Sequence, residues 1–286
     1  MSAIRIIGPR GAGKTTYLAT IAYLGELAIK LAITGKQEHF KGLEVTARDS
    51  DSDSERLVGL AKDVIKQGEK VPPTRTKGNI EYHPDYQLDI NIPGGGEKIE
   101  LVAKDYPGEV FELLGLRHKL SEIEFYLDDL LTTNRWLIML TDWQPNQDES
   151  TYKPAFKNLL EKLEAETQKK PELANIRIAV VMAKCERGEL WPGRLEPEQD
   201  LFKIRLPLSH KILREKLPSS KQLKFFACSS FGVMGDKNPR PNRYLPNDGS
   251  SAENARLRDG NCWQPYGLLS PLYWLDTGKM LKDVRL

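Results

Sequence analysis

Gly8-Pro9-Arg10-Gly11-Ala12-Gly13-Lys14-Thr15 fits the pattern G-x-x-x-x-G-K-[ST] at every fixed position. Ala3-Ile4-Arg5-Ile6-Ile7, just before it, reads as a short buried strand, and the residues from Thr16 to about Ile33 read as a helix. That is the strand–loop–helix setting in which such a loop binds phosphate. Its glycines let the backbone curl until the N–H groups point at an anion. The helix N-terminus adds positive potential. In this reading Gly8 to Thr16 wrap the phosphates, Lys14 reaches the outer phosphates, and the Thr15 hydroxyl ligates Mg²⁺.

The remainder of the chain is consistent with a large core around that loop. There are 286 residues, enough for one large domain. Forty-two basic and 40 acidic side chains nearly cancel, so no global charge points to nucleic acid or to an anionic membrane. Cys185, Cys228 and Cys262 are far apart and form no C-x-x-C, and the four histidines have no ligand spacing. A reduced, cytoplasmic protein without a structural metal is expected. Tyr17–Ile33 is the most apolar stretch, but it holds Glu26 and Lys30 and is read as a buried helix, not a membrane span.

Apolar segments alternate in period along the chain. Strands are expected at Ile4–Ile7, Gly42–Ala47, Asn79–Ile92, Lys98–Lys104, Arg135–Thr141, Arg177–Ala183 and Lys224–Cys228. Helices are expected at Thr15–Ile33, Ser54–Gln67, Val110–Thr133, Tyr152–Gln168 and Leu208–Leu217. Gly94-Gly95-Gly96 separates two alternating runs and reads as a hairpin turn. The rest alternates strand with helix, which predicts a mostly parallel sheet covered on both faces. Asp49 to Ser54 looks like the start of a calcium loop but lacks its glycine, and Leu60 stands where a bidentate Glu is needed. It reads instead as a solvated loop ending in a capping box, Ser52 with Glu55. Residues 1–231 form the nucleotide domain in this reading. Residues 232–265, rich in Gly, Pro and Asn, are an irregular excursion, and 266–286 supply a closing helix.

The second part of the site is Asp105-Tyr106-Pro107-Gly108-Glu109, at the end of a strand. Asp105 there can hold Mg²⁺, and Gly108 can turn its N–H toward the terminal phosphate. Asp142, after Trp136-Leu137-Ile138-Met139-Leu140-Thr141, is a rival aspartate at a strand end. Between the loop and Asp105, the segment Val71 to Gly78 is the candidate for a switch, with Thr74 or Thr76 donated to Mg²⁺ and Thr76 preferred.

In this order these motifs resemble the Ras/translation-factor class of P-loop GTPases, over roughly residues 3–231. The D-Y-P-G-E form at 105–109 and the Trp263-Gln264-Pro265 to Leu275 segment look like the bacterial double-GTPase type of conflict and signalling systems. The resemblance implies a P-loop NTPase fold, a three-layer α/β/α sandwich with one antiparallel hairpin strand. It implies a Mg²⁺-dependent GTP/GDP switch acting on a protein partner, with ATP the lesser alternative. Ala183-Lys184-Cys185-Glu186 stands where GTPases carry N/T-K-x-D, so Lys184 is expected across the base and Glu186 on its edge. Phe225 to Ser230 resembles the loop that offers backbone N–H groups to the base, with Ser229 the candidate. Glu109 replaces the usual water-orienting glutamine, which implies slow hydrolysis. Arg75, or secondarily Arg10, is the candidate for an arginine supplied in cis. Two other readings stay open: a nucleotide-binding scaffold that barely hydrolyses, and a small-molecule kinase or ATPase whose lid would carry Arg240, Arg243, Arg256 and Arg258.

Overall fold

A computed structural model describes residues 2–34, 42–48, 52–62, 85–92, 98–142, 146–235, 239–244, 256–281 and 285. Among the described residues, seven strands form the main sheet: β1 (Ser2–Ile7), β2 (Glu44–Ala47), β3 (Asp85–Asn91), β4 (Lys98–Asp105), β5 (Arg135–Leu140), β6 (Arg177–Met182) and β7 (Leu223–Ala227). Their order is β2-β3-β4-β1-β5-β6-β7. Only β3 runs against the others, pairing antiparallel with both β2 and β4. The expected mostly parallel sheet with one antiparallel strand is therefore present.

Helices cover both faces because each central strand is apolar on both sides. In β5, Leu137 and Met139 enter the core beneath α1 (Lys14–Thr34), α2 (Ser52–Ala61) and the C-terminal helix. Trp136, Ile138 and Leu140 enter the opposite core, shared with α3 (Gly108–Leu114), α4 (Glu124–Leu130), α5 (Lys153–Thr167) and α7 (Pro207–Lys216). A single turn, α6 (Lys203–Arg205), precedes α7. The C-terminal helix α8 (Leu269–Thr277) buries every residue from Leu269 to Leu275. Among the described residues no helix is long and apolar enough to cross a membrane.

Two expected helices differ in extent. The one expected over Val110–Thr133 is three pieces: α3, a 3₁₀ segment at Arg117–Ile123, and α4. The break falls at Gly115, where an added Cβ would stand 3.3 Å from the carbonyl oxygens of both Glu112 and Thr151. The last turn of α3 tightens there through Gly115 N–H to Glu112 O and Leu116 N–H to Leu113 O. Helix α2 begins at Ser52, two residues before the expected Ser54. Ser54 is fully buried and its hydroxyl accepts from the Gln87 N–H, tying α2 to β3. The 94–96 turn lies outside the described residues.

Helix α8 is a structural part of this core. Trp274 is fully buried and lies against Phe226 of β7, ring centroids 6.0 Å apart. Trp274→Ala should cost about 3–5 kcal/mol in chemical denaturation, as truncation of a buried aromatic does. A loss below about 1 kcal/mol would show that the helix is peripheral to the fold.

Candidate functional site

Strand β1 lies between β4 and β5, so the loop after it opens at the point where the sheet connections diverge. The β1–β4 register sets Ile6 beside Asp105, and the Tyr106 N–H donates to Ile6 O at 3.3 Å. This brings Thr15 to Asp105: the Thr15 hydroxyl donates to Asp105 Oδ2 at 2.7 Å across 90 residues of sequence. Asp142 goes elsewhere, its carboxylate 3.5 Å from Arg205 and its carbonyl accepting from Arg187. The geometry therefore groups Asp105, and not Asp142, with the loop.

Lys14 is folded into its own loop, donating to Gly8 O at 2.8 Å and Pro9 O at 3.2 Å. Burial lowers the pKa of its ammonium, and Asp105, Glu109 and Glu112 pull it back up. Gly13 takes φ +88°, the left-handed region that favours glycine. A Cβ there would meet Lys184 Cε at 3.9 Å, so the Lys184 stem lies over the loop. Ala12 is buried, and Thr16 is the first residue past Thr15 in α1, its carbonyl accepting from Thr20.

Gly108 lies against the other side of the loop. A Cβ at that position would stand 2.4 Å from Arg10 N, so only glycine permits this approach. Arg10 is further clamped to α3: its guanidinium pairs with Glu109 at 3.1 Å and Glu112 at 3.5 Å, and its N–H donates to Glu112 Oε1 at 3.2 Å. Glu112 has no place in the sequence motifs. Its signal is the three-residue spacing from Glu109, which puts both carboxylates on one helix face. Beneath Gly108, Tyr106 donates to Asp129, which also pairs with Arg5 at 3.1 Å and Lys104 at 3.0 Å.

In the Ala183–Glu186 segment, Lys184 has φ 59°, a conformation that costs a non-glycine residue on the order of 1–3 kcal/mol. Glu186 is 1% exposed. Its Oε2 accepts from the Ser229 hydroxyl at 2.7 Å, and its Oε1 lies 3.6 Å from the Arg243 guanidinium. The Ser229 N–H, expected to face a base, donates instead to Tyr266 O at 2.9 Å. Cys185 and Cys228 are buried free thiols whose pKa values burial pushes well up, which makes them unreactive.

The described parts of the late segment are tied to this loop. Tyr266 and Ser229 exchange two backbone bonds of 2.9 Å, Trp263 donates to Ser230 O at 2.8 Å, and the Asn242 N–H donates to Gly232 O at 2.9 Å. Two of the four arginines set aside for a kinase lid serve this packing: Arg256 lies over the Tyr244 ring and Arg258 donates to Arg243 O. Arg243 itself is buried, and Arg240 is exposed. Thr74, Arg75 and Thr76 lie outside the described residues.

The chain belongs to the Double-GTPase 2 family, whose model matches residues 2–238. Among solved structures it is similar to the GTPase-like domain of Ski7 from S. cerevisiae bound to GTP, at 13% identity and a TM-score of 0.43. That match covers 87% of this chain and 47% of the other. It is also similar to sup35 complexed with GDP, at 11% identity and a TM-score of 0.37, covering 86% of this chain and 42% of the other. The chain thus spans less than half the length of these solved chains. No curated protein matches it.

The buried Lys14 ammonium has a testable consequence without any ligand. Its pKa is lower folded than the ordinary 10.5, so the unfolded chain binds more protons between those two values. Stability carries the full penalty below that window and recovers as pH rises through it. Denaturation at stepped pH should show wild type gaining on Lys14→Met toward pH 10.5. A difference that does not change with pH would contradict the buried charge.

Proposed function

We propose that this chain is a Mg²⁺-dependent guanine-nucleotide-binding protein that hydrolyses GTP and switches a protein partner. The observation that carries the reading is the 2.7 Å bond from Thr15 to Asp105, with Gly108 against Arg10 beside it. A loop hydroxyl, a strand-end carboxylate and a glycine that can report a third phosphate meet within one turn of the loop. Family membership supports the same reading.

Thr15 and Asp105 supply hard oxygen donors on one side only, which suits Mg²⁺, an ion that keeps water and phosphate as its other ligands. When bound there, the ion neutralises charge on the outer phosphate oxygens. The protein's part is positioning and charge. Lys14 is held by Gly8 O and Pro9 O at the mouth of the phosphate loop. Glu109 orients the attacking water. Its negative charge, unfavourable beside a phosphate, is offset by Arg10 at 3.1 Å. Both side chains are about half exposed or more, so the pair contributes at most about 1 kcal/mol to stability, and its value lies in placement. Lys184 lies across the base, and Glu186 accepts from its N1–H and N2–H edge. Gly108, at the start of α3, links the third phosphate to Arg10, Glu109 and Glu112. Loss of that phosphate releases α3, the means by which a partner senses the nucleotide. Thr74 or Thr76 completes the metal site, and Arg75 is a further charge for the transition state. Residues 1–231 act as the nucleotide domain, and the protein works in the cytoplasm within a multi-component system.

Titration calorimetry with GTP and ATP analogues in Mg²⁺ tests this. Wild type should bind GTP tightly and ATP weakly, Lys14→Ala should bind neither, and Glu186→Ala should lose about tenfold or more for GTP with little change for ATP. Unchanged affinity in Lys14→Ala removes the phosphate site. Equal losses for both nucleotides in Glu186→Ala remove the base-reading role.

A further inference from the structure

Glu186 carries one more methylene than the aspartate its position calls for, and therefore one more free torsion. Its two oxygens nonetheless face different partners. Ser229 Oγ lies 2.7 Å from Oε2, and that hydroxyl is itself held by the Gly232 N–H at 2.7 Å. Arg243 lies 3.6 Å from Oε1, with side-chain exposures of 6% for the arginine and 1% for the glutamate. Oε1 accepts no hydrogen bond, so its acceptor positions are left for a base edge.

Arg243 reaches Glu186 from a distant part of the chain. It opens β8 (Arg243–Tyr244), which pairs antiparallel with β9 (Arg256–Leu257). Asn242 fixes its backbone from both directions, donating to Asp259 O and accepting from the Asp259 N–H, each at 2.8 Å. The Asn242 N–H bond to Gly232 O anchors this unit on the loop that carries Ser229. Burial lowers the Arg243 pKa, and the Glu186 charge opposes that shift. A buried ion pair is a poor way to stabilise a fold, since apolar residues of similar volume do as well. Its worth here lies in where it holds the carboxylate.

We propose that Arg243 is a positioning residue for base recognition, locking the Glu186 carboxylate against the purine edge so that the paired β8 and β9 set guanine selectivity. The proposal rests on Glu186 reading the base. Arginine suits the task because its planar fork holds an orientation that a single ammonium does not.

The test is calorimetry of Mg²⁺–GDP and Mg²⁺–ADP on the full chain as wild type, Arg243→Lys and Arg243→Gln. The readout is the ratio of the two affinities, which general damage to the fold or to the phosphate loop does not move. The ratio should fall about tenfold or more in Arg243→Gln, with ADP affinity unchanged, and about threefold in Arg243→Lys, as loss of one charge-assisted contact implies. An unchanged ratio in either folded variant overturns the proposal, and Arg243→Lys alone decides if the glutamine variant does not fold. A wild-type ratio near one, or a ratio insensitive to Glu186→Ala, overturns the base-reading assignment and this proposal with it. A preference for GDP that survives both arginine changes overturns this proposal alone.

Discussion

The parallel pairing of β1 with β4, Ile6 beside Asp105, is the constraint on which the site depends. It joins the loop at residues 8–15 to an aspartate 90 residues after Thr15, and it does so through the paired strands of the sheet. Once that register is set, α1 starts at Lys14 and α3 starts at Gly108, on opposite faces of the sheet with their N-termini around one loop. The hydroxyl–carboxylate bond and the Gly108–Arg10 approach then follow from backbone position. A slip of one residue in β4 would turn Asp105 to the other face and remove both.

Charge is arranged around this frame in two groups of different character. Asp129 gathers Arg5, Lys104 and Tyr106, tying β1, β4 and the residue before Pro107 to α4. It is mostly buried and supports the loop from below. Arg10, Glu109 and Glu112 form the second group, at the surface, where an exposed pair is cheap to break. In the proposed switch, the support beneath Tyr106 is the fixed part and the contacts between α3 and the loop are the part that exchanges. The Ala183–Glu186 segment follows a third arrangement, in which Glu186 is enclosed by Ser229 and Arg243.

Much of this was legible in the residues because it depends on local spacing. The phosphate loop, Asp105-Tyr106-Pro107-Gly108 at a strand end, and the apolar runs of β5 and β6 each state their structure over a few positions. What was hidden depends on contacts distant in sequence. Arg243 reads as one of four arginines in an irregular stretch, and only the fold brings it to Glu186, 57 positions earlier (243 less 186). The Ser229 N–H looks available until Tyr266 takes it. The pattern at Val110–Thr133 is helical throughout, and the break at Gly115 comes from close packing against Thr151, which periodicity does not record.

The central claim is that Asp105, and not Asp142, is the carboxylate of the metal site. The direct measurement is GTP affinity against Mg²⁺ concentration, by calorimetry, for wild type, Asp105→Ala and Asp142→Ala. The account predicts that Asp105→Ala loses the Mg²⁺ dependence while Asp142→Ala keeps the wild-type curve. Loss of that dependence in Asp142→Ala, with Asp105→Ala unaffected, would contradict it.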